Sequence, residues 1–193
     1  MKGFQAKFIT SVADADKFYD DGRPIVAVSG KSNVGKSSLI NMLAGNKKLA
    51  KTSDTPGRTR LINYFDFGDF VLADLPGYGY AKVSAAEKVK WATLLEEFFA
   101  TQRLNLLIAL FDIRHSPTAD DKQMVSYLYA RAVPFIAVAT KSDKLAKTKI
   151  KPQITSLAAE LRLGIGDIIA SSAETGLGKS EIFAAIEKSK NPV

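Results

Sequence analysis

Residues 30–37 read GKSNVGKS and lie between an apolar run at 25–28 and a helix-like stretch at 38–44. Glycines in such a loop let backbone N–H groups turn inward around phosphate oxygens, and a following helix N-terminus adds partial positive charge. Lys36 would then reach the β- and γ-phosphates, and the Ser37 hydroxyl would bind Mg²⁺. The stretch predicts a phosphate-binding loop between a strand and a helix. A glycine-rich turn followed by a chance Lys-Ser pair is the alternative.

Two later motifs, DLPG at 74–77 and TKSD at 140–143, each follow an apolar run and favour a nucleotide site. A carboxylate at the end of the first run could hold the water shell of Mg²⁺, and the Gly77 N–H could meet a γ-phosphate. Asp143 can accept both N1–H and the exocyclic N2–H of guanine, whereas adenine offers no such pair of donors. The sequence therefore predicts binding of GTP and GDP rather than of adenine nucleotides.

The composition limits the class of protein. A chain of 193 residues predicts one domain, at about 150 residues per domain. Cysteine is absent, which excludes disulfides and thiolate metal sites and makes a reducing cytoplasm the simplest location. The N-terminus has no continuous apolar core, so we expect no signal peptide. The longest apolar run, 104–111, is too short to cross a bilayer, so we expect no membrane span.

The net charge of +7 exceeds what a nucleotide site alone requires. Basic residues gather in two clusters: Lys47, Lys48, Lys51, Arg58 and Arg60, and then Lys141, Lys144, Lys147, Lys149 and Lys151. Each cluster is either a solvated surface or an RNA-binding face. Aromatic residues are not interleaved in either cluster, so RNA contact would be to backbone phosphates and shape.

Short apolar strands alternate with amphipathic segments after an N-terminal extension, residues 1–22, that Phe4, Phe8, Phe18 and Tyr19 would pack onto one domain, residues 23–193. We expect six strands, at 25–29, 61–67, 70–74, 104–112, 134–140 and 167–171. Helices are expected at 36–44, 85–102, 118–131, 148–161 and 178–188. Residues 46–60 lack periodicity and predict a mobile surface loop.

This alternation predicts an α/β fold with three layers, α/β/α, around a mostly parallel six-stranded sheet. The strands at 61–67 and 70–74 are separated by Gly68-Asp69, which predicts a hairpin and hence one antiparallel edge strand. Functional residues should then collect at the carboxyl ends of the parallel strands.

Five segments together resemble the EngB (YihA/YsxC) family of bacterial GTP-binding proteins, within the TrmE-Era-EngA-YihA-septin group: GKSNVGKSSLIN, TPGRTRLINYF, DLPGYGYAKVS, DIRHSPTADD and TKSDKL. The resemblance runs from about Pro24 to the C-terminus. It implies a Ras-like G domain and a cytoplasmic GTPase needed for assembly of the large ribosomal subunit, in a family also linked to septation and cell division. The implied partner is a large-subunit precursor, through rRNA, ribosomal proteins or both, and we expect a monomer.

Carried over position by position, the resemblance implies catalytic roles for Lys36, Thr59, Gly77 and Asn33. Thr59 would join Ser37 on Mg²⁺, and Asp74 would bind that ion through water. The implied nucleotide contacts are Gly30, Lys31, Ser32, Asn33, Val34, Gly35, Lys36, Ser37, Ser38, Gly57, Arg58, Thr59, Asp74, Leu75, Pro76, Gly77, Thr140, Lys141, Ser142, Asp143, Ser171, Ser172 and Ala173.

Two positions depart from the general GTPase pattern. Thr140 stands where the base motif usually has Asn, and one hydroxyl cannot replace both functions of a carboxamide, so we expect micromolar nucleotide affinity. Tyr78 stands where Ras-type proteins have the Gln that orients water, so we expect slow hydrolysis. In related members of the group, an Asn at the position of Asn33 helps to bind K⁺. Asn33 could also serve turn formation alone, and Arg58 could be a self-supplied finger, an RNA contact or a solvated arginine.

The sequence thus predicts a slow GTPase in which the nucleotide sets the order of residues 46–60 and 76–84 and so controls docking onto a ribosomal precursor. A nucleotide-gated RNA-binding assembly scaffold is one alternative. A protein-interaction switch at the division machinery, without RNA contact, is another.

Overall fold

A computed structural model describes residues 5–50, 61–79 and 85–190. The strands within these ranges are β1 (Lys7–Val12), β2 (Ile25–Gly30), β3 (Ile62–Asp66), β4 (Val71–Asp74), β5 (Leu104–Asp112), β6 (Phe135–Thr140) and β7 (Ile168–Ala170). The helices are α1 (Lys36–Ala44), α2 (Ala85–Thr101), α3 (Ala119–Ala130), α4 (Lys147–Leu161) and α5 (Lys179–Lys190).

The strands form one sheet in the order β1-β3-β4-β2-β5-β6-β7. Strand β2 pairs in parallel with β4 and β5, and β5, β6 and β7 continue in parallel. Strand β3 is antiparallel to β4, as the hairpin pattern predicts, and also to β1. The mostly parallel α/β fold is confirmed.

The expected strand count of six is wrong, because residues 7–12 form a seventh strand within the described residues. Strand β1 pairs with β3, so the antiparallel edge of the sheet consists of β1 and β3 rather than of β3 alone. The pairing joins residues at least 50 positions apart, such as Val12 and Ile62. A short N-terminal run carries no local signal of such a partner. The division of the chain at residue 22 stays a prediction.

Helices cover both faces of the sheet and complete the three layers. One face is packed against α1 and α5, through the buried residues Leu39, Ile40, Leu43, Ile182 and Ile186. The other is packed against α2, α3 and α4, through Leu94, Phe98, Val125, Leu128, Ile154 and Leu157. All six residues of β2 are buried, which explains why this strand reads as a continuous apolar run rather than an alternating one.

The beginning of the predicted surface loop is anchored rather than mobile, so that part of the prediction is wrong. The Asn41 side chain in α1 donates to the carbonyl oxygens of Lys47 (3.0 Å) and Ala50 (2.9 Å). The Ala50 N–H in turn donates to Asn41 Oδ1 at 2.7 Å, and Ala50 is buried. The side-chain amide of Asn41 thus supplies hydrogen-bond partners for three backbone groups of residues 47–50. Residues 51–60 lie outside the described residues.

Candidate nucleotide-binding site

The loop between β2 and α1 has a backbone suited to an anion. Asn33 and Gly35 both have positive φ, 63° and 106°. A loop whose backbone alternates between right-handed and left-handed conformations turns successive N–H groups toward one side. Helix α1 begins at Lys36, and its N-cap Gly35 offers no side-chain cap, so the first amides stay available to a ligand. At Gly30 a Cβ atom would lie 2.8 Å from Val34 Cγ1 and 2.9 Å from Leu110 Cβ, so a larger residue would push the loop away from the sheet.

The structure brings the Lys36 ammonium into contact with the Asp74 carboxylate at the end of β4. Asp74 is buried, and Asn63 Nδ2 approaches its other oxygen at 3.4 Å. The Lys36 ammonium, which can reach phosphates, therefore lies next to a carboxylate that can hold a hydrated metal ion. The Asp74 carboxylate and the hydroxyl of Ser37, which follows Lys36 in the first turn of α1, are both oxygen donors and fit the preference of Mg²⁺ for oxygen ligands.

The DLPG motif lies directly against the phosphate loop. The Tyr78 N–H donates to the Gly30 carbonyl at 3.2 Å, and the Ser32 N–H donates to the Tyr78 carbonyl at 2.9 Å. Between them, a Cβ on Gly77 would come within 3.3 Å of both Gly30 O and Ser32 N. A glycine at this position lets the two backbones approach closely.

The base motif is tied to the phosphate loop by two side chains. Thr140 Oγ1 donates to the Val34 carbonyl at 2.6 Å and lies 3.1 Å from the Phe111 carbonyl. Lys141, at φ 62°, donates through Nζ to the Asn33 carbonyl at 2.7 Å. The single hydroxyl of Thr140 is therefore engaged within the protein, in agreement with the expectation that it cannot serve both functions of an Asn.

Neighbouring side chains hold the Asp143 carboxylate in its charged form, in which it can accept hydrogen bonds. Ser172 Oγ donates to its Oδ1 at 2.7 Å, and Lys144 Nζ lies 3.0 Å from its Oδ2. The hydrogen bond from Ser172, followed by that from Lys144, lowers the pKa of Asp143 below its usual value. The Ser172 hydroxyl also accepts from the N–H groups of Glu174 and Thr175, each at 3.2 Å, so its own proton is directed at the carboxylate.

The loop after β7 supports the same motif through the backbone. Ser142 donates to the Ser171 carbonyl twice, from its N–H at 3.1 Å and from its hydroxyl at 3.0 Å. Ser171 and Ser172 are buried, whereas Ala173, the next residue, is exposed. The structure thus brings together the phosphate loop, the DLPG motif, the TKSD motif and residues 171–172. The predicted residues Gly57, Arg58 and Thr59 lie outside the described residues.

Sequence reasoning missed Asp112, the last residue of β5. Its carboxylate accepts from Arg114 Nε at 2.9 Å and pairs with Lys141 Nζ at 3.0 Å. Burial alone would raise the pKa of Asp112, but the hydrogen bonds from Arg114 and Lys141 outweigh it and hold the pKa well below its usual range. Asp112, like Asp74, is an aspartate at the carboxyl end of a parallel strand, and this position could have identified it as a candidate site residue.

Comparison with known proteins assigns the family. A family model described as "50S ribosome-binding GTPase" matches residues 25–141. The "Probable GTP-binding protein EngB" of Geobacillus kaustophilus is 42% identical over 185 residues, covering 94% of this chain and 95% of the relative. The chain belongs to the EngB family of GTP-binding proteins. The EngB protein of Bacillus cereus strain B4264 is 40% identical over 191 residues, covering 97% of this chain and 96% of its own.

Solved structures agree on the fold. A crystal structure of a probable GTP-binding protein engB covers 86% of this chain and 98% of its own, with a TM-score of 0.70 and 20% identity. The structure of Era in complex with MgGDPNP and nucleotides 1506–1542 of 16S ribosomal RNA covers 86% of this chain and 56% of its own, with a TM-score of 0.69 and 24% identity. The chain is therefore a GTPase with a Ras-like G-domain fold.

Within residues 5–50, 61–79 and 85–190, no helix has both the length and the apolar character needed to cross a bilayer.

Proposed function

We propose that this GTPase is a nucleotide-dependent switch in the assembly of the large ribosomal subunit, and that it contacts the rRNA of a precursor particle. The observation that carries the proposal is the position of Lys147, Lys149 and Lys151. All three are exposed in the first two turns of α4. Helix α4 follows the base motif directly in the chain, so a partner bound there would lie beside the nucleotide site.

The positions of these lysines destabilise helix α4 when the helix is considered without a partner. The N-terminal end of a helix carries partial positive charge, and a cation there costs about 0.3–1 kcal/mol. The first turn of α4, which lies wholly in the described part of the chain, contains no acidic residue, and its N-cap Ala146 has no capping side chain. A polyanion at this face would offset the repulsion. Helix α4, KTKIKPQITSLAAEL, has no aromatic residue, so contact with duplex backbone phosphates suits it better than stacking on single-stranded bases.

The family description, "50S ribosome-binding GTPase", supports a large-subunit particle as the source of that RNA. The roles in septation and cell division, the monomeric state and the cytoplasmic location stay predictions.

For the chemistry, we propose that Lys36 holds the β- and γ-phosphates, that the Ser37 and Thr59 hydroxyls bind Mg²⁺, and that Asp74 binds the same ion through water. When bound, Mg²⁺ would neutralise charge that develops on the phosphate oxygens. The Gly77 N–H would meet the γ-phosphate, and Asp143 would pair with guanine N1–H and N2–H. The remaining predicted contact residues would surround the nucleotide as the resemblance implies.

We also propose that Asn33 helps to hold K⁺ beside the phosphates, where the ion would supply the charge that an arginine finger gives elsewhere. The positive φ of Asn33, 63°, supports the competing role in turn formation, because Asn adopts this conformation more readily than most residues. A test that separates the two roles is described in the Discussion.

The ribosomal role is tested with the double variant Lys147→Glu/Lys151→Glu, which reverses two charges one helical turn apart. In the presence of a non-hydrolysable GTP analogue, we expect it to bind purified large-subunit precursors at least about tenfold more weakly than the unmodified chain. The slope of the logarithm of the binding constant against the logarithm of the salt concentration should become shallower by about two, one for each lost phosphate contact. GTP turnover without particles should be unchanged. Binding is measured by co-sedimentation over a series of KCl concentrations.

The control is Lys7→Glu/Lys188→Glu, which changes the net charge equally at two other exposed lysines. Equal loss of binding in both double variants would mean that only overall charge matters. Failure of the unmodified chain to bind the particles in either nucleotide state would reject the ribosomal role.

A further inference from the structure

Tyr78, in the segment after β4, is held through both its backbone and its side chain. Its N–H and carbonyl are bonded to the phosphate loop at Gly30 and Ser32. Its hydroxyl donates to Asp121 Oδ1 at 2.8 Å, and the ring is buried. The phenol therefore points to the start of α3.

Asp121 can hold Tyr78 firmly because its own carboxylate is fixed. Its Oδ2 accepts from the Thr118 N–H and the Thr118 hydroxyl, each at 2.8 Å, and Asp121 N–H donates back to Thr118 Oγ1. This reciprocal capping box joins the first turn of α3 to the carboxylate. The second oxygen, Oδ1, is left for the phenol. Asp121 is buried as well, so loss of the phenol hydroxyl would leave an acceptor without that partner.

The direction of this hydrogen bond is determined by the chemistry of the pair. Burial, followed by the negative charge of Asp121, raises the pKa of Tyr78 well above its usual value. The hydroxyl therefore stays protonated and donates, while an ionised carboxylate can only accept.

Gly77 lies between two fixed points as a result. On one side, the Leu75 N–H donates to the Val28 carbonyl at 3.0 Å, which continues the pairing of β4 with β2. On the other side, Tyr78 is bonded to the phosphate loop and to α3. The next residue, Gly79, has φ 80°, a left-handed backbone conformation that glycine adopts without strain.

We propose that Asp121 is a positioning residue for GTP hydrolysis, which acts through the Tyr78 hydroxyl to hold the Gly77 N–H against the phosphate loop. This inference rests on the proposed place of the γ-phosphate at Gly77.

The decisive variant is Tyr78→Phe, which removes one hydroxyl and keeps the buried ring. We expect kcat to fall about tenfold, the effect of one lost hydrogen bond on positioning. The affinity for a non-hydrolysable GTP analogue should fall with it, while the affinity for GDP stays within about twofold, because Gly77 would contact only the γ-phosphate. Single-turnover hydrolysis and equilibrium binding of both nucleotides measure these quantities.

Two controls separate positioning from a general loss of structure. Tyr19→Phe removes another tyrosine–aspartate hydrogen bond, from Tyr19 to Asp21 Oδ2 at 2.9 Å in the N-terminal segment, and should leave both nucleotide affinities and kcat unchanged. Val12→Ala truncates a buried side chain of β1 and leaves Thr118, Asp121 and Tyr78 unchanged. It should lower the melting temperature while the ratio of analogue to GDP affinity stays near that of the unmodified chain.

The proposal is overturned if folded Tyr78→Phe hydrolyses GTP at the original rate and keeps the original affinity ratio. It is also overturned if Tyr78→Phe weakens GDP binding as much as analogue binding, since that pattern indicates disruption of the whole phosphate loop. Ribosomal particles are absent from these measurements, so the result does not depend on the ribosomal role.

Discussion

At the residue scale, we expect Asp143 to provide the recognition of guanine. The Thr140 hydroxyl is bonded to the Val34 carbonyl, so it joins the base motif to the phosphate loop. Asp143 is held by Ser172 and Lys144, and its pKa is lowered. Because the pKa is lowered, the carboxylate is charged at neutral pH and becomes protonated only as the pH falls below the usual aspartate range. Discrimination between bases should therefore be constant around neutral pH.

Asp143→Asn should shift the preference from GTP toward XTP, because xanthine presents an acceptor where guanine presents a donor, and the carboxamide brings a donor. We expect the ratio of GTP to XTP affinity to change by roughly 100-fold. Competition binding with both nucleotides measures the ratio. Asp69→Asn, at an exposed aspartate in the β3–β4 turn, serves as the control. A variant that still prefers GTP by the original factor would place the base site elsewhere.

The role of Asn33 can be resolved with glycine, which adopts positive φ freely but has no carboxamide. If Asn33 helps to hold K⁺, kcat of the unmodified chain should be several-fold higher in KCl than in NaCl, with KM little changed. Asn33→Gly should then lose the K⁺ dependence while GTP binding stays nearly intact. Asn33→Ala should lose the same dependence and also strain the turn.

Turnover is measured in matched KCl and NaCl buffers, with and without ribosomal particles. Equal rates in the two salts under both conditions would remove the cation from the mechanism and leave Asn33 with its turn-forming role.

At the scale of elements, α1 does more than present the phosphate loop. Its Asn41 side chain organises residues 47–50 through three hydrogen bonds. The same helix is packed on the sheet through Leu39, Ile40 and Leu43. Asn41 therefore anchors the chain as far as Ala50, five residues beyond the end of the helix at Gly45.

Asn41→Ala should lower the free energy of unfolding by about 2 kcal/mol, because it leaves buried backbone groups of Ala50 without partners. Urea unfolding measures this loss, and hydrogen exchange of the Ala50 amide should become faster in the variant. Asn46→Ala is the control: Asn46 Oδ1 accepts only from the exposed Lys48 N–H, and we expect a change below about 0.5 kcal/mol. Similar losses in the two variants would show that Asn41 does not anchor the segment.

At the scale of the whole molecule, β1 extends the sheet beyond its antiparallel strand. Val12 is buried in the larger apolar cluster, whereas Phe8 is 53% exposed. The strand therefore contributes to the core mainly through one end, and it covers the polar backbone edge of β3. An uncovered strand edge is a template for pairing with another chain.

Deletion of residues 1–12 should lower the free energy of unfolding by roughly 2–4 kcal/mol, from lost burial of Val12 and its neighbours. It should also promote self-association, because β3 becomes the edge of the sheet. Urea unfolding and light scattering over a concentration series test both effects. Phe8→Ser, which keeps the strand but removes its exposed aromatic ring, should change neither by much. A deleted chain that is equally stable and self-associates no more than the unmodified chain would mean that β1 is dispensable.

The local pattern of the chain determined most of the fold and the motifs of the site. The runs before 30–37, 74–77 and 140–143 are apolar because they form buried parallel strands, and each motif stands at a strand end because parallel strands end at one edge. Helix α3 begins where the helix at 118–131 was expected, because its capping box of Thr118 and Asp121 is a signal contained within four residues. Features of this kind depend on neighbours in sequence and can be predicted from it.

The tertiary structure alone decided which side chains meet across the sheet. Strand β1 pairs with residues about 50 positions away, Tyr78 bonds to Asp121 across 43 positions, and Thr140 bonds to Val34 across 106. Asp112 is engaged by Lys141 only because β5 and β6 lie side by side. Such contacts leave no periodic trace in the chain, since their energy comes from burial and hydrogen bonding between elements that folding first has to bring together.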